Sequence, residues 1–283
     1  MPFDYKKLDD WLKKRKKNIL IMGVINITPD SFSDGGLYFK LDDALDHAKK
    51  LIAEGADILD IGGESTRPGA RPISVQEEID RTIPIIESLK KFHPQCVISI
   101  DTYKFEVAEK AILAGAEIIN DISGLSFDSD MVKLVVKHKI PVVIMHMKGT
   151  PKNMQNNPHY DDLLFDINNF FKKQIKFAKS KGVKDEQIIL DPGIGFGKSF
   201  DNNFEIIKNL NLINSLGYPV LIGTSRKAFI GNILNNAPIE DRLFGTAATV
   251  SIGINNGARI LRVHDVYQMK QVAIVTEKLI GLR

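Results

Sequence analysis

Asp101, Asn120 and Asp191 each stand near the end of a short apolar run, Lys227 follows a later one, and Arg262 and His264 lie in the last. Ionised carboxylates only accept hydrogen bonds, and an asparagine oxygen accepts as well. Three such groups suit the paired N–H donors on the edge of a flat aminopyrimidinone ring. Lys227 could meet a ring oxygen or nitrogen from the opposite side. Arg67, Arg226, Arg262 and His264 suit an anion such as a diphosphate, which a guanidinium grips at two points. Asn26, within the first apolar run, offers a carbonyl oxygen of the kind hard cations take.

Each of these positions also has a plain reading. Asp101 could cap a helix beginning near Lys104, and Asp191 could close a tight turn before Pro192. Their convergence is what favours chemistry, and it depends on the elements that carry them.

Eight apolar runs recur along the chain, at 19–28, 58–62, 97–102, 118–123, 141–146, 188–193, 219–225 and 260–265. Their centres, such as VISI, VVIM and VLIG, are almost continuously apolar, as expected of parallel strands buried on both faces. Between them apolar residues recur at helical spacing, for example Ala44, Leu45, Ala48, Leu51 and Ile52. Strand then helix, eight times, predicts a single-domain α/β fold, a (β/α)8 TIM barrel over 1–283 with a short N-terminal extension at about 1–17. A doubly wound open sheet is the alternative. A barrel gathers all its strand C-terminal ends on one rim, so the polar ends would form one site. The stretch 226–258 has room for two helices between the last two strands. The segments 28–36 and 62–69 follow strands, exceed the usual connection of about two to six residues, and read as lids.

The bulk numbers narrow the class. Hydrophobic residues are 43% and charged residues 26%, ordinary for a globular domain. A net charge of +3 is too small to imply nucleic acid, and the one dense basic run, Lys13–Lys17, reads as a solvated helix face. Cys96 is the only cysteine, which excludes an internal disulfide and suits a reducing cytoplasm. No apolar run approaches the roughly 18 residues of a membrane span, and Thr28-Pro29-Asp30 stands where a signal peptide would place its cleavage site. Gly197-Lys198-Ser199 resembles the end of a phosphate loop, but Pro192 occupies the position of the required earlier glycine.

Read as blocks, the sequence resembles the dihydropteroate synthase family. The carriers are MGVINITPDSFSDGG (22–36), IGGESTRPGA (61–70), SIDT (99–102), INDISG (119–124), MHMKGTP (145–151), DPGIGFGK (191–198), GTSRK (223–227) and RVHDV (262–266), in order along nearly the whole chain. Leu125 stands where a second glycine is expected, and Ala228 where serine is common.

The resemblance implies that Asp101, Asn120, Asp191 and Lys227 hold a pterin, with Ile122, Met145, Phe196 and Gly223 lining its pocket. It implies that Arg262 stacks on the ring and meets diphosphate together with Asn26, Arg67 and His264. Phe32, Thr66, Arg67 and Pro68 from the two lids, with Ser225 and Arg226, would form a p-aminobenzoate side. Magnesium at Asn26 and a homodimer are implied too. The reaction would release diphosphate from the pterin methylene and join that carbon to the arylamine, with Lys227, Arg262, His264, Asp101 and Asp191 acting on it and no enzyme nucleophile. A methyltetrahydrofolate methyltransferase-like domain and a non-catalytic pterin-binding protein are the rivals. The first has no need of a diphosphate site, so Arg67, Arg262 and the TPDSFSDGG loop argue against it, and a turnover assay with diphosphate release separates the second.

Overall fold

The computed structural model describes residues 4–14, 18–27, 37–66 and 69–282. Helix α1 (Tyr5–Lys13) precedes β1 (Leu20–Asn26), after which strand and helix alternate. The order is α2 (Leu37–Ala53), β2 (Ile58–Gly62), α3 (Val75–Phe92), β3 (Val97–Asp101), α4 (Phe105–Ala114), β4 (Ile118–Asp121), α5 (Met131–His138) and β5 (Val142–Met145). There follow α6 (Leu163–Ser180), β6 (Ile188–Asp191), α7 (Phe200–Lys208), α8 (Leu210–Asn214), β7 (Val220–Ile222), α9 (Ala228–Ile233), α10 (Leu243–Asn255), β8 (Ala258–Val263) and α11 (Val266–Leu279). All neighbours pair in parallel, and β8 pairs back onto β1, so the sheet closes into the expected barrel. The open-sheet alternative is excluded. The 226–258 stretch holds α9, α10 and a short 3-10 turn, as its length suggested. The first expected lid, 28–36, lies outside the described residues, and α2 begins directly after it at Leu37.

Strand alternation divides the core into two shells. Outward side chains such as Ile21, Ile61, Ile100 and Ile144 pack against the helices. Inward ones such as Met22, Ile58, Val97, Ile118 and Val143 fill the barrel. Because both faces are covered by protein, apolar residues occur at successive positions.

Helix α1 is more than an appendage. Asp4 caps it by accepting from Lys7 N at 2.9 Å, and Leu8, Trp11 and Leu12, at helical spacing, are buried in the inner shell. It stoppers the mouth formed by the strand N-terminal ends. Trp11 Nε1 donates to the Asn18 carbonyl at 2.9 Å, so even the indole's polar edge is satisfied.

Caps set where other helices begin. Ser74 accepts from Glu77 N for α3, and Asp162 from Phe165 N for α6. Ser199, from the rejected phosphate-loop motif, forms a reciprocal capping box with Asn202 at the start of α7.

Candidate functional site

Following each inward face towards its C-terminal end leads from apolar residues to polar ones. Asn26, Gly62, Asp101 and Asn120 are successive register partners on β1 to β4, and Met145 pairs with Asp191 across β5 and β6. Gly223 follows β7, and Arg262 lies on β8. These residues therefore share one cup. Gly62 and Gly223 keep it open. A Cβ on Gly62 would lie 3.4 Å from Asp101 Cβ, and one on Gly223 would lie 3.8 Å from Arg262 Cβ.

A charge network forms the floor. Arg262 donates from Nε to Asp60 Oδ2 and from Nη2 to Asp101 Oδ2, both at 2.6 Å. Asn120 Nδ2 donates to the same Asp60 oxygen at 3.0 Å. Asp60 is absent from the sequence-based candidates. It lies inside the run Ile58-Leu-Asp-Ile-Gly62, yet a charge in a strand buried on both faces must be paired, and that was the available signal. Asp101 does not cap α4, whose first position makes no side-chain cap. Burial pushes Asp101 up to about 7, opposed by Arg262 and reinforced by Asp60. Burial alone would lower Arg262, but the facing Asp60 and Asp101 raise it above its ordinary value.

The β6 side combines site and scaffold. Asp191 Oδ1 accepts from Gly193 N at 2.7 Å, so it does close the turn before Pro192 while remaining on the inward face. Burial raises it, opposed by the Gly193 N–H and then Lys227. The following loop lies directly against the end of β5. A Cβ on Gly193 would fall 2.0 Å from the His146 carbonyl oxygen, and its φ of +67° is itself a glycine conformation.

Lys227 reaches into this loop. Its ammonium donates to the Ile194 carbonyl and sits 4.6 Å from the centre of the Phe196 ring. Burial lowers it to about 8 against the pull of Asp191. Ile122, directly after β4, and Met145, the last residue of β5, are both buried. Lys198 is a second buried lysine that the sequence reading did not assign. It donates to the Phe196 and His146 carbonyls at 2.9 and 3.2 Å, and lies 3.0 Å from His146 Nδ1. Burial takes Lys198 down to about 7 and His146 to about 2, so the imidazole is neutral.

On the β7 and β8 side, Ser225 and His264 meet. Ser225 Oγ accepts from His264 N at 3.2 Å and lies 3.0 Å from Nδ1. Arg226 Nε donates to Asp265 Oδ2 at 2.9 Å, and its φ is +57°. That left-handed backbone is held by Thr246 Oγ1, which accepts from Arg226 N, and by Arg242, which donates to its carbonyl. Thr66 is half-buried beyond Glu64, whose carboxylate is clamped by Tyr103 and Lys104. Lys104 also donates to the Ile73 carbonyl at 2.8 Å, so it ties both ends of that connection. Phe32, Arg67 and Pro68 lie outside the described residues.

The two departures from the resembled pattern have physical accounts. Leu125 is buried with φ of +65°, a conformation a glycine would adopt without strain, and Asp121 Oδ2 holds it by accepting from its N–H at 2.9 Å. Ala228 is the exposed first residue of α9 and touches none of the network.

Comparison with known proteins agrees with this geometry. Residues 22–264 match the family described as pterin binding enzyme. A curated dihydropteroate synthase of Clostridium beijerinckii is 50% identical over 91% of this chain and 93% of its own length. The crystal structure of a Clostridium difficile dihydropteroate synthase with pteroic acid superposes with a TM-score of 0.87 at 47% identity, covering 93% of this chain and 97% of that one. A Xanthomonas albilineans dihydropteroate synthase with 4-aminobenzoic acid gives 0.87 at 40% identity, covering 93% of each chain. The chain thus belongs to the pterin-binding enzymes, among the dihydropteroate synthases.

Proposed function

We propose that this chain condenses 6-hydroxymethyl-7,8-dihydropterin diphosphate with p-aminobenzoate, giving 7,8-dihydropteroate and diphosphate. The observation that carries this is one cup holding acceptors, Asp101, Asn120 and Asp191, beside cations, Lys227 and Arg262. The acceptors suit the N–H edge of the pterin. Lys227 approaches from the other side, and Phe196 and Met145 bound the ring. Arg262 and His264, two residues apart on one face, suit the diphosphate. Asn26 and Arg67 would join them there, while Phe32, Thr66, Pro68, Ser225 and Arg226 would border p-aminobenzoate.

In the reaction the methylene C–O bond breaks, and its electron pair leaves with diphosphate. The electron-rich ring shares the positive charge left on carbon. The amine lone pair forms the new C–N bond, and the amine proton passes to solvent. Arg262 and His264 neutralise the departing charge, while the fixed floor keeps carbon and nitrogen in line.

Among the described residues there is no cluster of three His, Cys, Asp or Glu side chains fit to hold a metal. Asn26 suits the other arrangement, in which Mg2+ takes one neutral protein oxygen and completes its shell with phosphate oxygens and water. When bound, the ion would supply Lewis-acid stabilisation of the leaving diphosphate.

We further propose a homodimer. Helices α10 and α11 pack side by side and leave Phe244, Ile252, Tyr267, Val275 and Leu279 more than half exposed. A second copy covering this face accounts for so much apolar exposure. None of the described helices is long and apolar enough to cross a membrane, and the proposed setting is the cytoplasm. The decisive test is incubation with pterin diphosphate, p-aminobenzoate and magnesium. Stoichiometric diphosphate and 7,8-dihydropteroate support the assignment, whereas tight pterin binding without turnover overturns it.

A further inference from the structure

Asp60 is fully buried on β2, one inward position below the rim glycine Gly62. Its Oδ2 accepts from two members of the cup at once, Arg262 Nε at 2.6 Å and Asn120 Nδ2 at 3.0 Å. Its Oδ1 has no hydrogen-bond partner among the described residues. A buried carboxylate with one oxygen unpartnered is expensive to keep, so its retention calls for a role beyond packing.

That role follows from the chemistry of an amide. The oxygen and nitrogen of an asparagine side chain are similar in size, and either could face a ligand. A carboxylate paired with a guanidinium only accepts, so the atom of Asn120 turned towards Asp60 is the nitrogen. The carbonyl oxygen is thereby turned away from Asp60. The same contact fixes Arg262 through Nε, leaving its Nη edge to reach Asp101.

We propose that Asp60 is a positioning residue that selects the ring by fixing the Asn120 amide. With Asn120 locked this way, its carbonyl oxygen joins Asp101 and Asp191 as an acceptor towards the cup. A ring with N–H donors on that edge is taken, and one with a carbonyl in place of the 2-amino group is refused. The inference rests on the pterin assignment above.

The test compares 6-hydroxymethylpterin with its 2-oxo counterpart by calorimetric titration of wild type and Asp60→Asn. In Asp60→Asn the partner amide can itself turn, so Asn120 is no longer held. The preference for pterin is expected to narrow by about tenfold, as weaker pterin binding combines with equal or better binding of the 2-oxo ring. A purely structural role would weaken both ligands by the same factor, and an unchanged ratio overturns the proposal. Failure of wild type to bind pterin at all would instead remove the functional assignment, and this inference with it. Should Asp60→Asn not fold, side-chain amide NMR of wild type gives a second reading, with the Asn120 signal assigned through Asn120→Ala. Nδ2 proton resonances that stay in place on pterin addition support the lock, and a large shift shows that the NH2 group faces the ligand.

Discussion

Arg262 donates to Asp101 at 2.6 Å across the floor of the cup, so the group suited to the anion and an acceptor suited to the ring hold each other before either ligand arrives. The protonation of Asp101 follows from this balance. Burial pushes it up to about 7, and Arg262 opposes without restoring the ordinary value.

Pterin affinity is therefore expected to rise with pH through about 7, as Asp101 sheds its proton and becomes a full acceptor. The rise approaches tenfold per unit on the acid side. The stability contribution has the opposite sign. The folded chain keeps a proton that an unfolded aspartate loses near 3.8, so this group's contribution falls between about 4 and about 7 and is level above. Calorimetry across that range checks the binding limb. Asp101→Asn should flatten it, and an unchanged slope in that variant would assign the titration elsewhere.

Lys227→Ala should cost turnover without unfolding the chain. The ammonium sits 4.6 Å from the centre of the Phe196 ring and feels the charge of Asp191, and a charge-assisted bond is worth roughly 1.5–3 kcal/mol, or about 10- to 150-fold in kcat/KM for pterin diphosphate. Steady-state kinetics beside a melting curve separate the outcomes. Full activity would exclude Lys227 from the site.

Gly193→Ala combines two penalties. A left-handed alanine costs roughly 1–2 kcal/mol, and its Cβ would sit 2.0 Å from a backbone oxygen. The expected result is a displaced loop carrying Ile194 and Phe196, with pterin binding lost more completely than stability. A variant with wild-type pterin affinity would show that the loop yields freely.

Trp11→Ala tests the stopper at the far end. Truncating a buried tryptophan typically costs about 3–5 kcal/mol, and Trp11 is only 2% exposed. Denaturant midpoints should fall markedly while both KM values stay put, since the helix and the cup lie at opposite ends of the barrel. A raised KM for either substrate would contradict that separation.

The barrel was legible because its strands are buried on both faces and so appear as apolar runs, most of them ending in or followed by a polar residue at the rim. Asp101, Asn120 and Asp191 were visible for that reason. Asp60 was not, because it sits two residues before its rim position and is flanked by Leu59 and Ile61, which belong to the outer shell. Only knowing that odd and even residues face different shells separates it from them. Lys198 was hidden differently. It lies in a motif that invites a phosphate reading, whereas the fold buries it against the carbonyls of Phe196 and His146. Helix α1 was passed over because the basic run Lys13–Lys17 dominates its sequence, while its buried face is only three residues, Leu8, Trp11 and Leu12.

The position of α1 also decides how the chain can be handled. Helix α1 lies at the mouth opposite the cup. A fusion partner, affinity tag or sensor surface joined ahead of α1 is therefore held a full barrel length from the substrates. Immobilisation by that end leaves the cup facing solution, so inhibitors can be screened on the tethered enzyme without the support competing for its opening.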